Sequence, residues 1–445
     1  MAAAGATDLS GKRPDGSISA ALASATCALL GTTAAAPVDA QEEPKWDFNT
    51  SVLYYGEDEG RVQDLSFKSL SRRLFTDDRV LILGLTVDAL TGASPSGAIR
   101  QDRPQTFTRP SGNATYTVPA GELPLDDTFR DTRVSISANW QQPAGEKGLV
   151  NLGLSASKEY DYLHTGLNAR YAHDFNKRNT TVSAGIAYAR DSIEPVGGAP
   201  VPLTPMLDVG DLSNRAGDDD KDVLDVILGV SQVINRDLIV QANYSFSRQD
   251  GYLNNPYKVL SLVDSVTGDT LLRVPAPQGG PDGQFLFENR PDQRTQHALY
   301  TQAKYNMGGR VLDLSYRYVT DDWEIDSHTL DLRYRWPVGD ASYLEPHVRY
   351  YTQSEADFYR VSLDAGEPLP VYASPDYRLG NFDGITAGLK YGWKTRNDHD
   401  MSVRVEWYMQ SGEVPSGQLI GNQRSRDNFP DLNALIVQFS YRFSR

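Results

Sequence analysis

Apolar and polar positions alternate along most of this chain, most plainly between His328 and Gln353. Leu330, Leu332, Tyr334 and Trp336 fall on one side of a strand, and Thr329, Asp331, Arg333 and Arg335 on the other. After Val338-Gly339-Asp340-Ala341-Ser342, a second strand sends Pro346, Val348 and Tyr350 to its apolar face and Glu345, His347, Arg349 and Tyr351 to its polar face. Side chains alternate across a strand, so each is half apolar and half charged. In a soluble sandwich the apolar face would pack on a second sheet. In an outer-membrane barrel it would face lipid, with the charges inside and aromatics at the ends of the apolar band. Tyr334 and Trp336, beside the short turn, stand where such an aromatic belt belongs.

From Trp46 onward the pattern predicts about sixteen such segments. The first apolar face is Trp46, Phe48, Thr50, Val52 and Tyr54; later segments cover 61–75, 149–160, 162–175, 180–191, 222–234 and 236–249, and the series ends at 399–411 and 432–445. Connection lengths alternate. Short turns such as Thr76-Asp77-Asp78 and Gly308-Gly309 alternate with connections that carry the long insertions: Gly92 to Arg130, Asp191 to Lys221, Gly251 to Gln293, Arg360 to Tyr377 and Gly412 to Leu432. All the long connections have the same parity, as periplasmic turns and extracellular loops do. The predicted fold is therefore all-β: a single transmembrane antiparallel up-and-down β-barrel of about sixteen strands with long extracellular loops. The final strand, with Val437, Phe439, Tyr441 and Phe443 on one face, is the aromatic-ended kind that outer-membrane assembly machinery receives; Ser444 and Arg445 follow the last aromatic.

Composition fits an envelope protein. No apolar run approaches the roughly 20 residues of a helical span, and the mean hydropathy is negative. Lys12 and Arg13 precede a small-residue apolar stretch from about Ile18 to Ala36, followed by Val38-Asp39-Ala40 as a small-x-small cleavage site, so residues 1–40 are expected to be a cleaved signal peptide and residues 41–445 the barrel domain. The single Cys, Cys27, would leave with the signal, which excludes disulfides, thiolate catalysis and Cys-ligated metals from the mature chain. About five residues separate Gln41 from the first strand, too few for a plug domain. A formal charge of -15 excludes a nucleic-acid surface.

Val87-Asp88-Ala89-Leu90-Thr91-Gly92-Ala93-Ser94-Pro95-Ser96-Gly97 resembles the hallmark of a bacterial domain-of-unknown-function family of outer-membrane β-barrels. Ser51-Val52-Leu53-Tyr54-Tyr55, Asn255-Pro256-Tyr257-Lys258 and Glu288-Asn289-Arg290-Pro291-Asp292 extend the likeness over most of the chain. The resemblance implies the company of periplasmic thioredoxin-like, small lipoprotein and flavin-transfer proteins, and so a periplasmic redox lipoprotein as partner. It assigns no catalytic residue. Read from its residues alone, the hallmark places Asp88 inward near the outer end of a strand and lets Gly92 and Pro95 break the ladder where a long loop begins.

Candidate chemistry concentrates on the inner wall: Asp313, Arg317, Asp331, Arg333, Arg335, Glu345, His347, Arg349, Lys390, Arg404 and Glu406. These charges would either line an aqueous path or form a network that fills the barrel. The function expected is a porin-like channel for small solutes in the bacterial outer membrane; the alternative is a non-transporting structural or partner-binding barrel linked to envelope redox work. Besides that lipoprotein, the partners expected are outer-membrane lipid, lipopolysaccharide and the assembly machinery. No cofactor is expected. Asp218-Asp219-Asp220-Lys221-Asp222 has the spacing that opens an EF-hand, but Val223 and Gly229 stand where its Gly and closing Glu belong, so it reads as a solvated acidic loop and no metal residue is assigned. A barrel lipase would need a Ser close to a His on the lipid-facing wall; His328 faces outward, but no partner can be named, and no enzymatic activity is expected.

Overall fold

The computed structural model describes residues 45–58, 61–275 and 279–445, with backbone alone for 127–129. The expected signal peptide and Cys27 lie outside the described residues. Sixteen strands form the wall: β1 (Lys45–Glu57), β2 (Gln63–Leu74), β3 (Val80–Pro95), β4 (Leu125–Ala144), β5 (Gly148–Lys158), β6 (Tyr162–Phe175), β7 (Thr180–Ile193), β8 (Asp219–Val233), β9 (Leu238–Gly251), β10 (Gln293–Met307), β11 (Arg310–Asp321), β12 (Asp326–Pro337), β13 (Ser342–Gln353), β14 (Phe382–Lys394), β15 (Asp400–Gly412) and β16 (Leu432–Ser444). Each pairs antiparallel with its neighbours in the chain. β16 also pairs with β1, Phe439 opposite Val52, so the sheet has no edge.

The alternation decides what faces outward. Leu330, Leu332, Val348 and Tyr350 are exposed, while the residues between them, Asp331, Arg333, His347 and Arg349, are buried or half-buried. Among the described residues no second sheet covers the apolar face, and the wall closes on itself as a barrel instead of packing as a sandwich. Aromatic residues ring both ends of the band. At the short-turn end Phe48 stacks on Phe443 with ring centroids 4.9 Å apart, and Tyr391 on Trp393 at 5.5 Å. At the other end tyrosine hydroxyls meet outward imidazoles, Tyr316 with His328 at 2.7 Å and Tyr244 with His297 at 2.8 Å. An amphipathic ring with its hydroxyl engaged suits the boundary between hydrocarbon and headgroups.

The sequence reading ended β3 and began β8 too early and too late, respectively. At Gly92 the ladder does not break but bulges, then resumes with Ser94 opposite Asp126 and Pro95 opposite Leu125. Gly92 has φ 132°, and a Cβ there would collide with the Arg61 backbone. β8 starts at Asp219, inside the stretch read as an acidic loop.

The long connections fold onto one another. Gln105–Thr108 and Thr115–Val118 form a hairpin; Val259–Val263, Phe285–Phe287 and Leu363–Asp364 form a small sheet in which the connection after β9 pairs with the one after β13. Ala98, Phe107, Val118, Val259, Phe285 and Phe287 make one buried cluster; Ile99, Val263 and Val361 make another, packed against Leu419 and Ile420. These connections leave from β3, β7, β9, β13 and β15, all round the barrel, so together they form a cap across its mouth. Most of the apolar core lies in this cap and not in the wall.

Candidate functional site

The inner wall brings part of the expected charge set together. His347 Nε2 lies 2.9 Å from Asp331 Oδ2 and its Nδ1 lies 2.8 Å from Glu406 Oε1. Arg333 Nε is 3.3 Å from Asp331, and Arg404 Nε is 3.6 Å from Glu406. His347 and Glu406 are two strands apart, and each is opposite Gly388 of β14. A Cβ at 388 would run into the Glu406 side chain, so the glycine is what lets them meet. Asp313 instead contacts Lys304 at 3.3 Å and Gln302 at 2.6 Å, and Glu345 lies 4.0 Å from Lys390. Arg335 is over the Tyr343 ring, 3.7 Å from its centroid, at the short-turn end. Arg349 is opposite Asp331, and Arg317 opposite Thr329.

On the other half of the wall Asp88 faces inward, as the hallmark stretch predicts, while Arg133, Asp191 and Lys221 carry the same alternation signal and are not among the expected charges. Asp88, fully buried and inward, pairs with Arg133 at 2.5 Å, and Asp191 with Lys221 at 3.2 Å. The stretch 218–222 does not converge on a cation: Asp220 and Asp222 face outward toward Arg190, at 2.5 and 3.7 Å, while Lys221 faces inward. Strand alternation leaves Asp220 and Asp222 on one face, where Arg190 pairs with both, and an extended strand does not wrap their oxygens round an ion as an EF-hand loop does.

The cap unites three segments far apart in the chain. The buried Lys258 Nζ donates to the Pro95 carbonyl, and the Asn255 amide to Glu288 Oε1. Arg290 bridges Glu288 at 2.7 Å and Asp376 at 2.8 Å; Arg378 closes on Asp376 at 2.5 Å, and Ser374 Oγ donates to Glu288 at 2.5 Å. Burial pushes the Lys258 ammonium down to about 8. Burial opposes ionisation of Asp376, yet Arg378, Lys258 and Arg290 around it hold its carboxyl well below the usual range. A buried charge needs such partners.

Beside this network lies a cavity of about 390 Å³, lined by Tyr116, Arg130, Asp131, Asp161, Arg215 and Tyr257 among others. Asp131, Glu159 and Asp161 bring carboxylate oxygens within 4.8 Å of one another, and the Tyr257 hydroxyl donates to Asp161. Burial, then the charge of Asp131, pushes the Glu159 carboxyl up to about 8. Like charges this close share a proton, and a hard cation is the other species such oxygens hold.

A family profile described as Protein of unknown function (DUF3570) matches residues 19–443. No curated protein matches the chain. Among solved structures it is similar to a mutant of the ferric enterobactin receptor from Pseudomonas aeruginosa (9% identity, TM-score 0.40, 83% of this chain and 54% of that one). It is also similar to a bacterial polysaccharide outer membrane secretin (9%, 0.41, 91% and 99%) and to OccK5 of Pseudomonas aeruginosa (9%, 0.38, 91% and 98%). The chain spans about half the length of the receptor it matches.

Proposed function

We propose that this chain, which belongs to the DUF3570 family, works in the outer membrane as a channel for small solutes, its extracellular mouth narrowed by a cap of its own loops. The observation that carries this reading is the direction of the wall contacts. The wall ion pairs described above join residues on one strand, on neighbouring strands or two strands apart, as Asp331, His347 and Glu406 do. A barrel filled by its own side chains would be cross-linked through its centre. Sixteen strands enclose a cylinder of porin width, so the space behind the cap is left to water.

The exposed apolar band takes outer-membrane lipid and lipopolysaccharide, and β16 is the strand offered to the assembly machinery. Reconstitution of the folded protein in a planar bilayer tests the proposal: discrete current steps are expected. Silence from protein that still shows the heat-modifiable gel shift of a barrel would overturn it. Silence combined with co-purification of a flavin-bearing or thioredoxin-like protein would favour the partner-binding alternative.

A further inference from the structure

We infer that Ser155 is an activated nucleophile, served by His164 as base and Asp191 as its orienting carboxylate, on the inner wall of β5, β6 and β7. Ser155 Oγ lies 3.2 Å from His164 Nε2, and His164 Nδ1 lies 2.7 Å from Asp191 Oδ1. These are the atoms a Ser-His-Asp relay requires: the hydroxyl on one ring nitrogen and the carboxylate on the other, which fixes the tautomer that can accept the hydroxyl proton. The Tyr162 hydroxyl donates to Asp191 Oδ2, and Lys221 Nζ lies 3.2 Å from the same oxygen, so the carboxylate is anchored from three sides.

Burial grades in the order the chemistry needs. Asp191 is fully buried, His164 is 5% exposed and Ser155 is half-buried, so the nucleophile is the member open to the lumen. The register explains the contact. Ser157 is directly opposite His164, whereas Ser155 is opposite Gly166 and reaches the imidazole diagonally. A Cβ on Gly166 would sit 2.8 Å from Ser155 Oγ and 3.1 Å from His164 Nε2, so only glycine leaves the pair room. All these side chains face inward, the wall on which a lipase would not be sought. The substrate class is therefore a carboxylic ester small and polar enough to enter the lumen, not a bilayer lipid.

The reaction is acyl transfer to water. Ser155 Oγ bonds the acyl carbon as the carbon–alkoxy bond breaks, and the hydroxyl proton passes through His164 Nε2 to the departing alcohol. Water then attacks the acyl-serine, one of its protons returning through His164 to Oγ, and the carboxylic acid leaves.

The test uses the full chain folded in detergent micelles, with a short alkyl fluorophosphonate as probe. Oγ bonds phosphorus and fluoride leaves with the serine proton, so labelling reports the nucleophile whatever oxyanion donors an ester would find. One adduct is expected, mapped to Ser155 by peptide mass. Labelling should vanish in Ser155→Ala, fall at least about 100-fold in His164→Gln and persist in Ser157→Ala, with all variants keeping the heat-modifiable gel shift. As a second readout, iodoacetamide should alkylate Ser155→Cys at least about tenfold faster than Ser157→Cys, an advantage that disappears when His164→Gln is added. Absence of labelling in the folded chain together with equal alkylation at 155 and 157 would overturn the inference and leave a purely structural network.

Discussion

Lys258 and Pro95, 163 residues apart in the chain, are joined by a hydrogen bond from the lysine Nζ to the proline carbonyl oxygen. The contact ties the connection after β9 to the end of β3, and through Arg290 and Asp376 to the connection after β13. The hallmark stretch and the two motifs at 255–258 and 288–292 thus meet in the fold, and what they build is the cap.

Lys258→Met should loosen the cap and leave the wall intact. It strips the Pro95 carbonyl of its donor and takes a cation from beside Asp376, a loss of about 2 to 4 kcal/mol. Faster trypsin cleavage within residues 252–292 is expected, with larger single-channel current and an unchanged heat-modifiable shift. Unaltered cleavage would show that the lysine does not hold the loops.

Acid should tighten the extracellular end. The Glu159 carboxyl titrates near 8 in the fold against its ordinary 4.5, so its neutral form is the one the fold favours. Its contribution is complete below about pH 4.5 and is lost as pH rises toward 8, at up to about 1.4 kcal/mol per unit. Lys258, lowered to about 8, acts in the opposite sense and only between about 8 and its ordinary 10.5. Loop proteolysis should therefore accelerate from pH 5.5 to 8, and Glu159→Gln should flatten that rise.

Leu332→Arg should cost about 2 to 4 kcal/mol, because it puts a charge in hydrocarbon. Arg333→Leu costs less unless Asp331 is left unpaired. Cysteine at 333 should react with a small hydrophilic thiol reagent and resist a lipid-dissolved one, with the reverse at 332. Equal labelling of both by the lipid-dissolved reagent would refute the assignment of faces.

Gly388→Val should part His347 from Glu406, since the added carbons occupy the space the glutamate crosses. A penalty of about 2 to 3 kcal/mol is expected, read as a lower temperature for the heat-modifiable shift. Gly392→Ala, near the short-turn end of the same strand, meets the Tyr343 ring instead and should leave the His347 group alone.

The barrel was legible in the sequence because period-two alternation is local: Leu330 and Asp331 declare their faces without knowledge of a partner. The parity of the insertions was equally legible, since it needs only the order of segments. The cap was not. Val259, Phe285 and Phe107 belong to no periodic run, and what they pack against lies in connections 150 or more residues away for some pairs. The stretch at 218–222 reads in sequence as a solvated acidic loop because four of its five residues are aspartates, whereas β8 already begins within it, at Asp219. The Ser155 group escaped notice because its glycine, Gly166, reads in sequence only as a weak strand residue, and diagonal contact depends on register.

The cap's ionic network also sets an order of events. Pro95, Lys258, Glu288 and Asp376 come from widely separated points, so the network cannot form until β14 is about to join the wall. Contacts between distant parts of a chain form late and slowly. A nearly closed wall with loops still unknit is then the most permeable species the protein passes through, and insertion of the newborn chain would briefly leak what the finished one retains.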